Sequence, residues 1–109
     1  VTHSEFNASD EDKVHFIQIW VKPSKLNTKP SYSTKRFPDS AKQDKLCLLV
    51  SHDGANKSIK VKQDMKTFAC ILSEGKTVSH TLEKGRHAYI HVIDRGESTL
   101  MVNDVELKN

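Results

Sequence analysis

LCLLVSHDGANKSIKVKQDMKTFACIL (46–72) contains three of the predicted strands of this chain and is the basis for its fold class. The run KLCLLVS (45–51) has apolar residues on both faces of an extended backbone. This pattern is typical of a strand buried on both sides. SIKVKQ (58–63) then alternates apolar residues with lysines, and TFACIL (67–72) is again mostly apolar. Polar residues that favour turns separate these runs, so three short strands are predicted here.

Strand signals continue on either side of that stretch. VHFIQIWV (14–21) has apolar residues on both faces, so it is predicted to be a buried strand with its tryptophan in the core. TVSHTL (77–82) and RHAYIHVI (86–93) are predicted strands that follow the turn signals SEGK and EKGR. In TLMVNDVELK, Asn103 and Asp104 tolerate positive φ and are predicted to form the turn of a two-residue hairpin. Short strands at this spacing indicate an all-β barrel or sandwich.

The interval 22–44 differs from the rest of the chain. It contains all three prolines, Pro23, Pro30 and Pro38, among many Ser, Thr and Lys residues. Proline fixes φ and removes a backbone donor, so this interval is predicted to be a connection and not the interior of a sheet. A short helical turn is predicted around residues 38–43.

Length and cysteine content narrow the class of protein. With 109 residues the chain is long enough for one small domain with a modest core. It has no run of about 20 apolar residues of the kind that predicts a membrane-spanning helix. Cys47 and Cys70 lie in apolar stretches and are expected to be buried, reduced thiols. Together with the lack of a signal-peptide pattern, this predicts a cytoplasmic location, or a nuclear one in a eukaryote.

Charge is distributed unevenly along the chain. Residues 1–20 carry a net charge of −3, residues 21–62 carry +7 and residues 63–109 carry −1. The basic middle segment could attract an anionic partner. Its lysines are spaced singly, and aromatic residues do not interleave with them regularly, so a solvated face is the preferred interpretation. Nucleic-acid binding is not expected.

The triplet His3-Ser4-Glu5 is the candidate for chemistry. If THSEF is extended, His3 and Glu5 point to the same face. An imidazole and a carboxylate that converge from one strand can bind a divalent metal such as Fe, Mn, Ni, Cu or Zn. The same triplet also occurs as ordinary surface, and these residues alone leave both interpretations open. His15, which lies in an apolar run, is interpreted as a core histidine whose hydrogen bonds are satisfied.

An ordered series of motifs runs through the chain: THSEFN, VHFIQIWVKP, PSYSTKRF, LCLLVSHDGANKSIKVKQDMKTFACIL and TVSHTLEKGR. In order and spacing this series resembles the pirin family of bicupins, whose bacterial members include quercetin 2,3-dioxygenase-like proteins. The resemblance implies an all-β fold of cupin type, the double-stranded β-helix, present here as an incomplete bicupin. It also implies that residues 1–21 are the tail of an N-terminal cupin, 22–44 a proline-containing connection, and 45–109 most of a C-terminal cupin.

The resemblance further implies a metal site. In the family, three histidines and one glutamate of the N-terminal cupin hold the metal, and His3 and Glu5 match the last histidine and the glutamate. The other two histidines belong to an earlier motif, upstream of this sequence. Iron is the metal implied first, with Cu, Ni, Mn or Zn as alternatives, and two ligands alone are also compatible with a chain that binds no metal. Glu5 is expected to act as a base toward the substrate.

Two functions follow as hypotheses, and whether the chain is an enzyme is left open. The first is a metal-dependent dioxygenase that cleaves a flavonol-type, small aromatic enol, with little activity in a lone chain because two expected ligands are lacking. The second is a non-catalytic interaction or transcription-cofactor module of pirin type. An unclosed barrel exposes unpaired strand edges, so a homodimer or pairing with a complementary fragment is expected.

Overall fold

The computed structural model describes residues 2–93, Gly96 and residues 99–107. Within these residues the regular structure consists of five strands and two 3-10 helices, Asp39–Ala41 and Ala55–Lys57. The strands are β1 (Cys47–Ser51), β2 (Ile59–Lys60), β3 (Lys66–Ala69), β4 (Leu100–Val102) and β5 (Val105–Leu107). The expectation of an all-β chain is confirmed. In the described part, no helix has the length and apolar character needed to cross a bilayer.

Residues 46–72 form a three-stranded sheet with the order β2-β1-β3. β1 pairs in parallel with β2, where Val50 lies opposite Ile59, and antiparallel with β3, where Leu48 lies opposite Phe68. The register between β1 and β3 shifts between Leu48 and Val50, which is a β-bulge of the kind that bends a strand. The strand predicted over 45–51 is therefore confirmed, and it is the central strand. The two predicted strands that follow it are confirmed over the shorter ranges of β2 and β3.

Ser51, the last residue of β1, stabilises the loop that leads to β2. Its side chain is fully buried, and its hydroxyl oxygen accepts the N–H groups of Gly54 at 2.8 Å and Ala55 at 3.1 Å. The same hydroxyl lies 2.8 Å from Oδ1 of Asp53 and 2.7 Å from Oγ of Ser58. Gly54 has a φ of +76°, a left-handed conformation that favours glycine. These contacts turn the chain so that β2 lies beside β1.

A second set of hydrogen bonds joins the segment before β1 to the segment after β3. The backbone N–H of Asp44 donates to the carbonyl of Ile71 at 2.8 Å. The Asp44 carboxylate accepts the backbone N–H of Ser73 at 2.7 Å and the Ser73 hydroxyl at 3.0 Å. The helical turn predicted around residues 38–43 is confirmed by the 3-10 helix Asp39–Ala41.

β4 and β5 form the predicted two-residue hairpin. Val102 and Val105 are paired across its closed end. The turn residues have positive φ, +47° at Asn103 and +62° at Asp104, as a type I′ turn requires. Lys108, at the end of the hairpin motif, lies outside the described residues. The hairpin prediction is confirmed because the turn type depends only on whether two adjacent residues, Asn103 and Asp104, tolerate positive φ.

The prediction of a buried strand over 14–21 is wrong. Within the described residues this segment belongs to no strand, and its tryptophan, Trp20, is 80% exposed. Alternating apolar residues supply the side chains for a two-sided core, but a strand also needs a neighbour that completes its hydrogen-bond ladder. The backbone reaches the sheet region only later, where the N–H of Ser24 donates to the carbonyl of Lys62 at 2.9 Å. His15 is also exposed, so its interpretation as a core histidine is wrong.

The predicted strands 77–82 and 86–93 are likewise wrong, whereas the turns before them are confirmed. Neither segment is assigned to a strand. The SEGK turn closes through a 3.1 Å hydrogen bond from the Lys76 N–H to the Ser73 carbonyl, and the EKGR turn closes in the same way at 3.0 Å. A turn needs only its own four residues, but a strand needs a paired neighbour, which explains why one kind of prediction succeeds and the other fails.

Burial is low throughout the part of the chain that the structure describes. No apolar side chain there is fully buried. Cys47 and Cys70 are free thiols, as expected, but both are only half-buried, so the expectation of buried cysteines is corrected. A sheet buries its apolar face only where a second layer packs on it. The three-stranded sheet is covered in part by the irregular segment that follows Gln18.

Candidate metal centre

His3 and Glu5 lie side by side near the start of the chain. Nε2 of His3 is 3.4 Å from Oε1 of Glu5, and the two side chains are 50% and 43% exposed. The THSEF segment is not in a β-strand. The spacing of one intervening residue nevertheless allows both side chains to reach the same point. An imidazole nitrogen and a carboxylate oxygen therefore face one small volume.

Gln18 is a third member of this group that the sequence reasoning missed. Its side-chain amide nitrogen is 3.2 Å from Nε2 of His3. Gln18 lies within the run 14–21, which is predicted to be a buried strand. The signal was nevertheless present, because Gln18 is a polar residue within the apolar run FIQIWV, and such a side chain usually has a polar partner. The structure identifies that partner as His3, 15 residues away.

The His3–Glu5 pair fits two neighbouring positions around a divalent metal. Nitrogen and oxygen ligands lie about 2.0–2.2 Å from such metals, so two adjacent ligands are roughly 3 Å apart. The observed distance of 3.4 Å between Nε2 of His3 and Oε1 of Glu5 is only slightly longer than this separation. Among the described residues, no group of three or more His, Cys, Asp or Glu side chains could hold a metal. The pair is therefore a donor set of two, with the nitrogen and oxygen chemistry that Fe, Mn, Ni, Cu and Zn accept.

The remaining histidines lie apart from this pair. The His80 ring packs against Phe68, with ring centroids 5.0 Å apart and planes inclined by 52°. His87 and His91 are exposed on the segment that follows the EKGR turn. In the described part of the chain, none of them joins two further ligand side chains.

A half-open apolar groove of about 460 Å³ lies between the sheet and the segment that follows Gln18. Its apolar lining includes Ile19, Val21, Pro23, Leu49, Val61 and Met65. The segment is held across the sheet by two hydrogen bonds. The amide of Gln63 donates to the carbonyl of Lys22 at 2.6 Å, and the N–H of Ser24 donates to the carbonyl of Lys62 at 2.9 Å. A groove of this size and polarity can accept an apolar or aromatic group.

Charged side chains also form hydrogen bonds in the loops before and after β2. Nη1 of Arg86 donates to Oδ2 of Asp64 at 2.6 Å, and Nη2 donates to the Asp64 carbonyl at 3.2 Å. This guanidinium lowers the pKa of Asp64, and the Asp64 carboxylate raises the pKa of Arg86. At the other end of β2, the N–H of Ala55 and the hydroxyl of Ser51 lower the pKa of Asp53.

Comparison with known families identifies the origin of the sheet region. A family model for the quercetinase C-terminal cupin domain matches residues 48–109. This range includes nearly all of β1 and the whole of β2 to β5. The cupin-type fold expected from the motif series is thereby confirmed, with sheets that do not close into a barrel within the described residues.

Individual relatives match most of the chain. The quercetin 2,3-dioxygenase of Escherichia coli K12 is 33% identical over 100 residues, which are 92% of this chain and 42% of that protein. A putative quercetin 2,3-dioxygenase of Pseudomonas aeruginosa is 29% identical over 91 residues, 83% of this chain and 39% of that protein. A pirin-like protein of Caulobacter vibrioides is 28% identical over 92 residues, again 83% and 39%.

The chain therefore spans about two fifths of the length of these curated relatives. No solved structure matches it. The family model covers more than half of the chain, and the relatives extend the match toward the segment that contains His3 and Glu5. The chain belongs to the pirin family of quercetinase-like cupin proteins.

Proposed function

We propose that this chain supplies His3 and Glu5 as two ligands of a divalent metal in a quercetinase-type bicupin. The observation that carries the proposal is the 3.4 Å separation of Nε2 and Oε1, in a family with members named quercetin 2,3-dioxygenase. Because the resemblance implies three histidines and one glutamate, two further histidines would complete the site. Iron is the first candidate, and Cu, Ni, Mn and Zn suit the same donor set.

The proposed chemistry uses the two side chains differently. When bound, the metal would act as a Lewis acid toward the oxygen of a flavonol-type enol. The carboxylate of Glu5 would accept the proton that leaves the enol hydroxyl. His3 would hold its ring nitrogen toward the same volume, so that a substrate oxygen placed there lies within reach of Glu5. The exposure of both side chains supports access by a substrate from solvent.

We propose for this chain the same division into segments that the resemblance implies. Residues 1–21 would be the tail of an N-terminal cupin, 22–44 the proline-containing connection, and 45–109 most of a C-terminal cupin. His3 and Glu5 would then belong to the first cupin. We expect little dioxygenase turnover from the isolated chain, because two ligands hold a metal more weakly than the four of the family pattern.

Metal content per chain tests the ligand assignment. At equilibrium with excess Fe(II) under anaerobic conditions, we expect weakly bound iron in the wild-type chain. His3→Ala and Glu5→Gln should lose it, since each removes one of the two donors. His15→Ala is the matched control, because it removes another exposed histidine from the same part of the chain. Equal iron content in the wild-type chain and His3→Ala would overturn the assignment.

Oxygen consumption with quercetin tests the proposed reaction. The chain is assayed alone and after mixing with the N-terminal part of the Escherichia coli relative, which would supply the missing histidines. We expect uptake of oxygen only in the mixture, and its loss with His3→Ala. Full turnover by the chain alone would show that the four-ligand reasoning is wrong. A mixture in which His3→Ala is fully active would exclude His3 from the site.

A second candidate function, a non-catalytic interaction module, is favoured by the exposed apolar side chains Phe16 (57%), Ile19 (67%) and Trp20 (80%). Contiguous exposed apolar residues mark interaction sites. We propose a second copy of the chain as the occupant of this surface. The net charge of −3 on residues 1–20 of one copy would complement the +7 on residues 21–62 of the other. A complementary bicupin fragment is the alternative occupant of this surface.

We also propose a cytoplasmic location, which the bacterial relatives and the unpaired cysteines support. Fractionation of cells that express the native gene tests this proposal. We expect the protein with the cytoplasmic marker, and recovery in a periplasmic or membrane fraction would contradict it.

A further inference from the structure

Asp53 and Gly54 form the only Asp-Gly pair in the sequence, and they lie in the loop between β1 and β2. Such a pair is chemically reactive, because glycine has no Cβ to keep its backbone nitrogen away from the carboxyl carbon of the preceding aspartate. Asp53 is exposed, so water reaches its side chain. The proposed function does not use this pair.

The reaction open to this pair is an intramolecular rearrangement that needs only water. The Gly54 nitrogen attacks Cγ of the protonated Asp53 carboxyl, so that an N–Cγ bond forms and the Cγ–OH bond breaks. The hydroxyl leaves as water with the amide proton, and a five-membered succinimide ring remains. Water then adds to one ring carbonyl. Addition at Cγ restores aspartate, whereas addition at the α-carbonyl breaks its bond to nitrogen and leaves isoaspartate. One water leaves and one returns, and nothing is oxidised or reduced.

Ser51 binds both groups that would have to react with each other. The N–H of Gly54 donates to Oγ of Ser51 at 2.8 Å, which directs the attacking nitrogen toward a fully buried side chain. The Ser51 hydroxyl donates to Oδ1 of Asp53 at 2.8 Å, and the N–H of Ala55 donates to the same oxygen at 3.1 Å. The nitrogen and the carboxylate are therefore each held by another partner.

The charge of Asp53 also opposes the reaction. An ionised carboxylate has no hydroxyl to lose as water, so only the protonated carboxyl forms the ring. The N–H of Ala55, and then the hydroxyl of Ser51, lower the pKa of Asp53 in the folded chain. When the loop opens, the chain loses these hydrogen bonds and the protection that accompanies them.

We propose that Asp53-Gly54 is a site of spontaneous isomerisation, and that the Ser51 hydroxyl protects it in the folded chain. The reaction takes place when the loop opens, so its rate reports how often Ser51 releases Gly54. Isoaspartate adds one carbon to the path of the backbone. The lengthened loop no longer has the spacing at which Ser51 binds Gly54 and Ala55, so the modified chain holds β2 beside β1 less firmly.

Ageing of the full chain at neutral pH and physiological temperature tests the proposal. Isoaspartate is counted by methyl transfer from S-adenosylmethionine with an isoaspartyl methyltransferase, and fragmentation in a mass spectrometer assigns it to residue 53. The folded wild-type chain should isomerise at least about 10-fold more slowly than the same chain unfolded in urea. Equal rates in the two states would overturn the proposal.

Ser51→Ala isolates the role of the hydroxyl. The folded variant should isomerise at least about 5-fold faster than the wild-type chain, the factor that matches the smallest cost of an unpaired buried donor. Ser58→Ala is the matched control, because it removes a hydroxyl 2.7 Å from Oγ of Ser51 and leaves the Ser51 contacts with Asp53 and Gly54 in place. It should isomerise more slowly than Ser51→Ala. An unchanged rate in Ser51→Ala would contradict the protective role.

Asp44→Asn separates local opening from a general loss of stability. It weakens the contact with Ser73, which lies outside the loop. Asp44→Asn and Ser51→Ala are compared at urea concentrations that give both the same free energy of unfolding. Faster isomerisation in Ser51→Ala supports local protection, and equal rates show that the reaction needs global unfolding, which overturns it.

The wild-type chain provides the same test if Ser51→Ala does not fold. Amide hydrogen exchange at Gly54 and isomerisation at Asp53 should both accelerate at urea concentrations below the unfolding transition, because opening of the loop exposes both. If neither accelerates before the transition, the loop does not open locally and the proposal fails.

Discussion

The carboxylate of Asp44 accepts both the backbone N–H and the hydroxyl of Ser73, at 2.7 Å and 3.0 Å. Asp44 lies before β1 and Ser73 lies after β3, so one side chain joins the two ends of the three-stranded unit. Gln43 reinforces the same junction, because its amide donates to the Ser73 hydroxyl at 2.8 Å. The charge of Asp44 therefore contributes to the stability of the sheet.

We expect this contribution to disappear in acid. Chiefly the backbone N–H of Ser73, and also its hydroxyl, lower the pKa of Asp44 in the folded chain. A carboxyl with a lowered folded pKa contributes stability above its unfolded value of about 3.9, and loses it as the pH falls through the lower folded pKa. Asp44→Asn should reduce stability at neutral pH and flatten the acid dependence. Urea unfolding at a series of pH values measures both effects.

Asp10→Asn is the control for that experiment. It makes the same change of charge at an exposed residue of the N-terminal segment. We expect its acid dependence to match that of the wild-type chain. Identical acid profiles for Asp44→Asn and the wild-type chain would contradict the role of the Asp44–Ser73 contact.

Ser51→Ala should destabilise the sheet by about 1–3 kcal/mol, because it leaves the N–H of Gly54 without its hydroxyl acceptor, whereas the N–H of Ala55 keeps Oδ1 of Asp53. The loop would then hold β2 beside β1 less firmly. Equilibrium urea unfolding measures the change. Ser33→Ala, an exposed substitution in the connection, should stay within about 0.5 kcal/mol of the wild-type chain. A Ser51→Ala chain as stable as Ser33→Ala would show that the buried hydroxyl is dispensable.

Asp104→Gly should stabilise the β4–β5 hairpin by about 0.5–1 kcal/mol. Asp104 has a φ of +62°, a conformation that glycine adopts without steric cost, and Asn-Gly is the preferred pair for this turn. Amide hydrogen exchange at Val102 and Val105 measures the effect, as slower exchange. Glu106→Gly, within β5, is the matched substitution and should speed exchange. Faster exchange in Asp104→Gly would contradict the turn assignment.

Self-association should depend on Trp20, the single tryptophan of the chain. Because Trp20 is 80% exposed in one copy, its fluorescence should be that of a solvated indole at low concentration, and should shift to shorter wavelength as a second copy covers it. Trp20→Ser should weaken the dimer at least about 10-fold in sedimentation equilibrium, as expected for a central aromatic anchor.

Tyr32→Ser is the control for the dimer experiment, because Tyr32 is 90% exposed but lies in the proline-containing connection. It should leave the dimer unchanged. A chain that remains monomeric at every concentration excludes the second copy as the occupant. Association with the N-terminal part of a relative, without self-association, would identify the complementary fragment in its place.

The sequence was sufficient to predict those elements whose structure depends only on neighbouring residues. The run 45–51 predicts β1, and Asn103-Asp104 predicts the hairpin turn, because side-chain alternation and φ preferences act over neighbouring residues. The same reasoning failed for 14–21 and 86–93. Their patterns resemble that of β1, but the pattern does not contain the partner strand on which a ladder depends.

Local properties of the chain were enough to predict the all-β class, the strand over 45–51, the turns and the one-residue spacing of His3 and Glu5. Two contacts are visible only in the folded chain: that of Gln18 with His3, and that of Asp44 with Ser73 across 29 residues. Such contacts depend on how distant segments are placed beside one another. Local alternation and turn preferences carry no information about that placement, since the hydrogen-bond partner lies elsewhere in the chain.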